Sequence, residues 1–487
     1  MLNSISSSDI VFHPHSFGDH QLRLFRWHGE IYRGIGSTRA ASFAQLFEAG
    51  IIQHLIDQGL LIKSELVSIN INDYKLIVRH RTIPFISYPN EWCAVMLRDA
   101  ALTLLDLATE LTEYGFTLGD AHPWNLLFDI ENCRPVFVDL GSILPIYNPI
   151  WPVYEEFCRY CFYPLLLMAH GQDQIARLLM WEDSGVTKSE LLSLVGKSIL
   201  SEGKTNSSLI SHAEFAFQKY IQKVPETYRK FIKIKLRSAK SLLPQEKAAS
   251  SSSLKSSKTV RNKSHADFLN QVKQNVLNIP LPTYNKNYLE KDKASFLKQD
   301  KWTETQRTVG QVLTDFNPSS VLALGNDLGW SSKLAATLGS QVIAFDTDHH
   351  TVTQLYYHTR EHELPILPLI MDFTKSTPAR GLADHWSIAA SNRLACDMVL
   401  ALGLVDSIVS KRCLNFEQII EGFDLFSKRW LLVEFIEAED PIIKQWWSDK
   451  FYWYTLENFI DALEKKFKVV KSVSAYPSNR RLLLCEK

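Results

Sequence analysis

Residues 320–346 constrain the fold of this chain more than any other stretch. The run SVLAL at 320–324 is short, apolar and β-forming, and it passes directly into Gly325-Asn326-Asp327-Leu328-Gly329. A helical pattern follows from Trp330 to about Leu338, then a second strand-like run, QVIAF at 341–345, which ends on Asp346. Strand, glycine turn, helix and strand in that order build a parallel β-α-β unit. Glycines at the first turn let the backbone come close to a ligand. An acidic residue at the end of the second strand, here 21 positions after Gly325, can accept hydrogen bonds from both hydroxyls of a ribose.

A nicotinamide dinucleotide would use the same opening, so the cofactor needs its own argument. A pyrophosphate calls for G-x-G-x-x-G at the helix N-terminus. Here Asp327 stands where the middle glycine belongs, and its carboxylate would repel that group. It suits the cationic, phosphate-free S-adenosylmethionine. Residues 365–371 form a further strand ending on Asp372-Phe373, where an adenine amino group and ring would meet a carboxylate and an apolar wall. Residues 397–405 and 430–436 read as buried strands by their near-continuous apolar character, and 466–485 as a terminal hairpin turning at Tyr476-Pro477-Ser478-Asn479. A parallel sheet closed by an antiparallel hairpin is the arrangement of class I methyltransferases. The expected fold is therefore α/β, with a Rossmann-like seven-stranded sheet at the C-terminus.

The run Thr377-Pro378-Ala379-Arg380-Gly381, then Arg393 and Asp397-Met398-Val399-Leu400-Ala401-Leu402, resembles a bacterial methyltransferase family that includes nodulation-protein-like members. Val433-Glu434-Phe435 and Asp440-Pro441 extend the likeness. The resemblance implies S-adenosylmethionine-dependent methyl transfer, with cofactor contacts at Gly325, Asn326, Asp327, Gly329, Asp346, Asp372 and Phe373. Two positions depart from it: Ala323 replaces an acidic residue, and Asp406-Ser407 replaces a His-His pair. A sulfonium already activates its methyl group, so in-line positioning supplies much of the acceleration. A base is needed only where the acceptor must lose a proton. Asp406, Ser407 and Glu434, at expected strand ends, are candidates to orient that acceptor, and each is also a plausible structural residue. The acceptor expected is an oxygen or nitrogen of a small metabolite, glycan or natural-product intermediate.

The first half carries a different signature. Residues 115–142 read GFTLGDAHPWNLLFDIENCRPVFVDLGS. Asp120 and Asn125 lie five apart on a loop after a helix expected over about 90–114, and a strand then delivers Asp139-Leu140-Gly141. In phosphotransferases such an Asp accepts a hydroxyl proton, the Asn binds one magnesium ion, and the later Asp binds another. With His122-Pro123-x-Asn125, this stretch resembles the kinase-like superfamily in its aminoglycoside or choline kinase style, which implies Mg-ATP as a ligand and an α+β lobe preceding the methyltransferase. Leu118 stands where a histidine usually precedes the loop, Gly29, Gly34 and Gly36 lack the phosphate-loop spacing, and Arg33, with Glu48 as helix partner, takes the place of the clamping lysine. The N-lobe is expected to be reduced. An active phosphotransferase and a degenerate docking lobe both remain open.

Between the halves, six of the eight residues from 250 to 257 are serine, a composition that buries too little apolar surface to order itself. The domains expected are 1–244 (kinase-like, loop at 118–142), a Ser/Lys-rich linker at 245–263, and 264–487 (methyltransferase). The 53 basic and 53 acidic residues balance, so no global field draws the chain to nucleic acid. The most apolar stretch, 157–169, is too short and broken to span a membrane, and seven scattered cysteines fit a reducing cytoplasm. Cys158-x-x-Cys161 is expected to pack, and His358 with His362 to lie on a solvated helix face. The aromatic residues Trp446, Trp447, Tyr452, Trp453 and Tyr454 are expected in the core, with an acceptor-binding wall as the other reading. Besides the methyltransferase with a kinase-like accessory lobe, two alternatives stand: a bifunctional methyltransferase and small-molecule kinase, and a scaffold that binds ligands without turnover.

Overall fold

The computed structural model describes residues 3–4, 10–13, 16, 19–71, 73–146, 151–196, 254–284, 302–325 and 329–487. Its chain divides into two compact units, Met1–Thr82 with Leu97–Leu127 and Pro135–Leu281, and Ile83–Met96 with Phe128–Arg134 and Pro282–Lys487.

In the first unit, β1 (Val11–Phe12), β2 (Leu22–Trp27), β3 (Glu30–Ile35), β4 (Ser64–Val67) and β5 (Leu76–His80) form an antiparallel sheet in the order β1-β2-β3-β5-β4. The β2–β3 hairpin turns at His28 and Gly29, whose φ values of 49° and 81° are the positive pair a two-residue type I′ turn requires. Helices α1 (Ser37–Glu48) and α2 (Ile51–Asp57) intervene between β3 and β4. Helix α3 (Ala94–Glu113) leads into β6 (Phe116–Leu118), β7 (Leu126–Asp129), β8 (Arg134–Phe137) and β9 (Ile143–Pro145), with β6 paired to β9 and β7 to β8. Cys158 and Cys161 are buried in a π-helical turn, and all seven cysteines are free thiols.

Helix α4 (Leu254–Leu277) covers the last part of the stretch read as linker, and residues up to Leu281 group with the first unit. His265, Leu269, Val272 and Val276 are buried at near-helical spacing, so one face of α4 has a core to join. His265 Nε2 lies 3.1 Å from Thr117 Oγ1, and Lys273 pairs with Asp106. The second unit's main stretch thus begins at Pro282 rather than at 264. Residues 245–253 and the basic run around Lys230, Lys233, Lys235, Arg237 and Lys240 lie outside the described residues.

The second unit is built on β10 (Ser320–Leu324), β11 (Gln341–Asp346), β12 (Ile366–Ile370), β13 (Cys396–Ala401), β14 (Ser427–Ile436), β15 (Lys468–Ser474) and β16 (Arg480–Glu486). Their order is β12-β11-β10-β13-β14-β16-β15. The first five are parallel and β16 is antiparallel to both neighbours. This α/β sheet reverses its order at β10, the kind of switch point where open sheets receive ligands beyond their strand ends. Every residue of β10 and β12 is buried, as parallel strands covered on both faces should be. One face packs Val321, Ala323, Val342, Ala344, Met398 and Leu400 against Val309 and Leu313 of α5 (Glu304–Phe316) and Leu334 of α6 (Trp330–Thr337). The remaining helices used below are α7 (His349–His362), α8 (Val405–Arg412) and α9 (Phe416–Phe426).

Two excursions from the first half complete this unit. Trp92 and Phe128, both fully buried, meet edge to face at 4.9 Å, and Phe128 meets Tyr356 of α7 at 6.0 Å. The carboxylate of Glu91 takes both guanidinium ends of Arg393. Arg393 also donates to the carbonyls of Ile86 and Ile388, and Tyr88 Oη accepts from Ile388 N at 2.9 Å.

Three expectations change. Strand β13 stops at Ala401 instead of 405, because Gly403 takes φ 58° and turns the chain into α8. Asp406 and Ser407 therefore sit in the first turn of a helix, and Glu434 lies inside β14 rather than at its end. His358 is buried, 4.3 Å from the ring of His362, which is exposed as expected at the end of α7. Among the described residues no helix is long and apolar enough to cross a membrane.

Candidate functional site

Gly325 ends β10 with φ 119°, a conformation that L side chains rarely adopt. A Cβ built there would lie 2.1 Å from the carbonyl oxygen of Leu402. The backbone at the switch point is thus pressed against the β13–α8 turn, with room on its ligand side only because the side chain is absent. Gly329, φ 77°, precedes α6. Asn326 and Asp327 lie outside the described residues. Ala323 is buried in the core and offers no polar atom.

The neighbouring strands end on the two expected carboxylates. Asp346, half-buried, accepts from Asp348 N at 2.8 Å through Oδ1. Asp372 is more occupied: Oδ1 accepts from Thr374 N (2.9 Å) and Thr374 Oγ1 (2.7 Å), and Oδ2 from Arg412 of α8. Arg412 carried no sequence signal, being 40 residues away. Phe373 stacks on Phe423 of α9 with ring centroids 5.1 Å apart. It reaches there because Gly422 has no side chain; a Cβ at that position would lie 2.7 Å from the Phe373 ring. A Cβ-free cradle, a carboxylate after the second strand, and a carboxylate with an aromatic ring after the third fit a nucleoside whose amino-acid end lies at β10. Among the described residues, the carboxylate acceptors of Asp346 and Asp372 and the ring of Phe373 are compatible with the adenosyl part of S-adenosylmethionine.

Beyond the Leu402–Gly403 turn lies a buried charged group. Glu434 Oε2 accepts from Gly403 N at 2.8 Å, and Oε1 lies 3.6 Å from Arg480 Nη1. Arg480 Nε also reaches Asp440 Oδ2 at 3.3 Å, while Asp440 Oδ1 caps Ile442 N. Asp406, Glu434 and Asp440 are 8%, 4% and 2% exposed. Asp406 Oδ1 is buried with no hydrogen-bond partner among the described residues. Burial pushes the Asp406 and Glu434 carboxyls above their ordinary values; the backbone N–H groups of Ser407 and of Asp406 itself, then Arg480, oppose this at Asp406, and Arg480 with Gly403 N–H opposes it at Glu434. The Tyr454 phenol is raised by burial and then by Asp406, Asp440 and Glu434, so all three carboxylates act on one ring. Tyr454 stacks on Phe435 at 5.0 Å and meets Trp446 at 5.5 Å, and its hydroxyl donates to Ile436 O. Of the five aromatic residues expected in the core, Tyr454 is buried, Trp446 and Trp453 are half-buried, and Trp447 and Tyr452 are exposed. Arg480 was not foreseen: only the antiparallel pairing of β16 with β14 brings it to Glu434.

In the first unit, Asp120, His122 and Glu156 place one ligand atom each within 4.8 Å of one another. Glu156, 36 residues from Asp120 and missed in the sequence, accepts from Ala121 N at 3.0 Å; burial raises its carboxyl. Asn125 holds its backbone in place by donating to His122 O and accepting from Val138 N, and its Nδ2 is buried without a partner. Asp139 is bound by Arg33 of β3, Nη2 to Oδ1 at 2.9 Å. Arg33 occupies the strand expected for a phosphate-clamping lysine, but its partner is Asp139, and Glu48 is exposed at the end of α1. At the end of β5, β3's partner strand, His80 is buried against Ser64 Oγ (2.8 Å) and pushed down to about 3 by burial, with Arg33 adding to the effect.

No family model matches the chain. Nodulation protein NoeA of Rhizobium meliloti (strain 1021) is 23% identical over 488 residues, covering 97% of this chain and 95% of that protein. Among solved structures, magnesium protoporphyrin IX methyltransferase from Synechocystis PCC 6803 aligns with a TM-score of 0.29 at 15% identity, over 42% of this chain and 86% of that one. N-methyltransferase NodS from Bradyrhizobium japonicum WM9 aligns with a TM-score of 0.28 at 12% identity, over 42% and 98%.

Proposed function

We propose that the second unit is an S-adenosylmethionine-dependent methyltransferase for a small-molecule or glycan acceptor. The observation that carries this reading is Gly325: a positive-φ residue at the switch point of the sheet, where an added Cβ would lie 2.1 Å from the Leu402 carbonyl oxygen, with Asp346 and Asp372-Phe373 at the ends of the next two strands. Asp346 would hold the ribose hydroxyls, and Asp372 with Phe373 the adenine. A bound sulfonium supplies an electrophilic methyl group that needs no further activation by the protein. The chain's own part is to seat the acceptor beside the Leu402–Gly403 turn, exclude water there, and take a proton from it where necessary, with Asp406 and Glu434 as the groups available.

Calorimetric titration of the full chain with S-adenosylmethionine tests the reading. Saturable binding that weakens about 10- to 100-fold in Asp346→Ala, the scale of hydrogen bonds to a charged group, supports it. No binding to the wild-type chain overturns it and moves a ligand-binding scaffold to the front.

For the first unit we propose a kinase-related docking lobe, because Asp139, expected to hold magnesium, is instead tied to Arg33. Thermal stabilisation by Mg-ATP that disappears in Asp139→Ala would favour the bifunctional enzyme, with Asp120 as base and Asn125 and Asp139 as metal ligands.

A further inference from the structure

The charged group beside the Leu402–Gly403 turn is unbalanced. Three carboxylates, Asp406, Glu434 and Asp440, are nearly removed from water, and the cation bonded among them is Arg480. Arg480 divides itself between Glu434 and Asp440. Lys411, whose charge also bears on Asp406, is exposed at the far end of α8. Desolvated anions without a counter-charge are costly, several kcal/mol each in order of magnitude, so a fold that keeps three of them around one guanidinium is matched to a cation it does not itself provide.

The location makes this a ligand site. Gly403 N is held by Glu434, and the residue before it, Leu402, is the one whose carbonyl abuts Gly325. The anionic group thus begins one residue from the methionine end of the proposed cofactor cradle. Two polar atoms here lack partners among the described residues. Asp406 Oδ1 is buried and unpartnered, and the indole N–H of Trp446, beside Tyr454, is likewise buried without an acceptor. Aromatic ring faces add to the attraction for a positive centre.

We propose that Asp406 receives an amine, as its ammonium ion, and that the methyl acceptor of this protein is therefore a nitrogen rather than a hydroxyl oxygen. The inference rests on the methyltransferase reading for its place in the reaction, but the amine site itself stands on the buried, unpartnered Oδ1 of Asp406. Asp406 Oδ1 accepts an N–H of the ammonium. By taking that proton it leaves a neutral nitrogen whose lone pair is free, which is the nucleophilic form. An alcohol offers the same carboxylate a hydrogen bond but no charge to balance the group, and its own proton is far harder to remove.

The test is titration of the full chain, saturated with S-adenosylhomocysteine, with ethanolamine, glucosamine and putrescine, and in parallel with ethylene glycol, glucose and 1,4-butanediol. At least one amine should bind about 10-fold or more tightly than its hydroxyl counterpart. Asp406→Asn should abolish that preference while S-adenosylhomocysteine still binds, and Asp406→Glu should restore it in part. Equal binding of the two series, a preference that survives Asp406→Asn, or no amine binding at millimolar concentration overturns the proposal. If S-adenosylhomocysteine itself does not bind, the methyltransferase reading fails. The amine titration without it then decides the site separately.

Discussion

Replacing Arg393 with alanine would strand the carboxylate of Glu91, which is 1% exposed and has its two oxygens on that guanidinium. Removing one partner of a buried pair costs about 3–5 kcal/mol, because the remaining charge is left without compensation. The carbonyls of Ile86 and Ile388 lose a donor as well, and the Tyr88 ring loses a cation 4.2 Å from its centroid. In a unit of this size about 1 kcal/mol moves the midpoint by roughly 2–4 °C, so the second unit's transition should fall by about 6–20 °C. Differential scanning calorimetry of the full chain reads this directly. Glu91→Ala should fall by a similar amount, and the double variant by little more than either alone, since the second removal takes away an already orphaned charge. A fall of less than about 2 °C, or a double variant equal to the sum of the singles, would refute the idea that residues 83–96 belong to the second unit through this pair.

Gly325→Ala must move either β10 or the Leu402 carbonyl, and with the positive φ should cost about 2–5 kcal/mol; loss of S-adenosylmethionine binding with the far-ultraviolet spectrum retained is the expected result. Arg412→Ala frees one oxygen of Asp372 and, because the pair is partly exposed and weak, should change nucleoside affinity by no more than about 5-fold, in the tightening direction. The Asp406 carboxyl is raised by burial from its ordinary 3.8, so its contribution to stability is complete below that value and is lost as pH rises through the raised one. Asp406→Asn should accordingly stabilise the chain at pH 8 and not at pH 4, and equal shifts at both would contradict this. His80 shows the opposite sign: lowered from 6.5 to about 3 by burial, it adds stability above pH 6.5 that is lost as pH falls toward 3, by about 1.4 kcal/mol per unit. His80→Phe should flatten that acid slope in the first unit's melting curve.

Much of the second unit's sheet was legible because buried parallel strands are written as short apolar runs between turn residues, and β10, β11, β12 and β16 begin or end within a residue or two of the sequence reading. What apolarity cannot mark is where a strand stops when the next helix is apolar too. The run from Met398 to Val405 hid the turn at Gly403, and with it the helical setting of Asp406. Partnerships across long separations were also invisible. Periodicity assigns Glu91 and Arg393 to faces but not to each other across 302 residues, and the same holds for Arg412 with Asp372 and for Glu156 with Asp120. The serine-rich run gave a composition signal for a boundary, yet His265, Leu269, Val272 and Val276 form an apolar stripe that ties the following helix to the first unit. A local rule identified the segment and a tertiary one decided its allegiance.

The two excursions of the first half into the second unit bear on how such a chain is made. Residues 83–96 and 128–134 leave the ribosome well before the sheet they complete, and Phe128 has no Tyr356 to meet until most of the protein has been synthesised. The second unit cannot be cut out by starting a gene after the serine-rich run, nor exchanged for another of its kind by recombination there. Its core would lack Trp92 and Phe128, and Arg393 would lack its anion. The dependence runs one way: the first unit's segments are all made before Pro282, while residues 83–96 and 128–134 must wait for the sheet they complete.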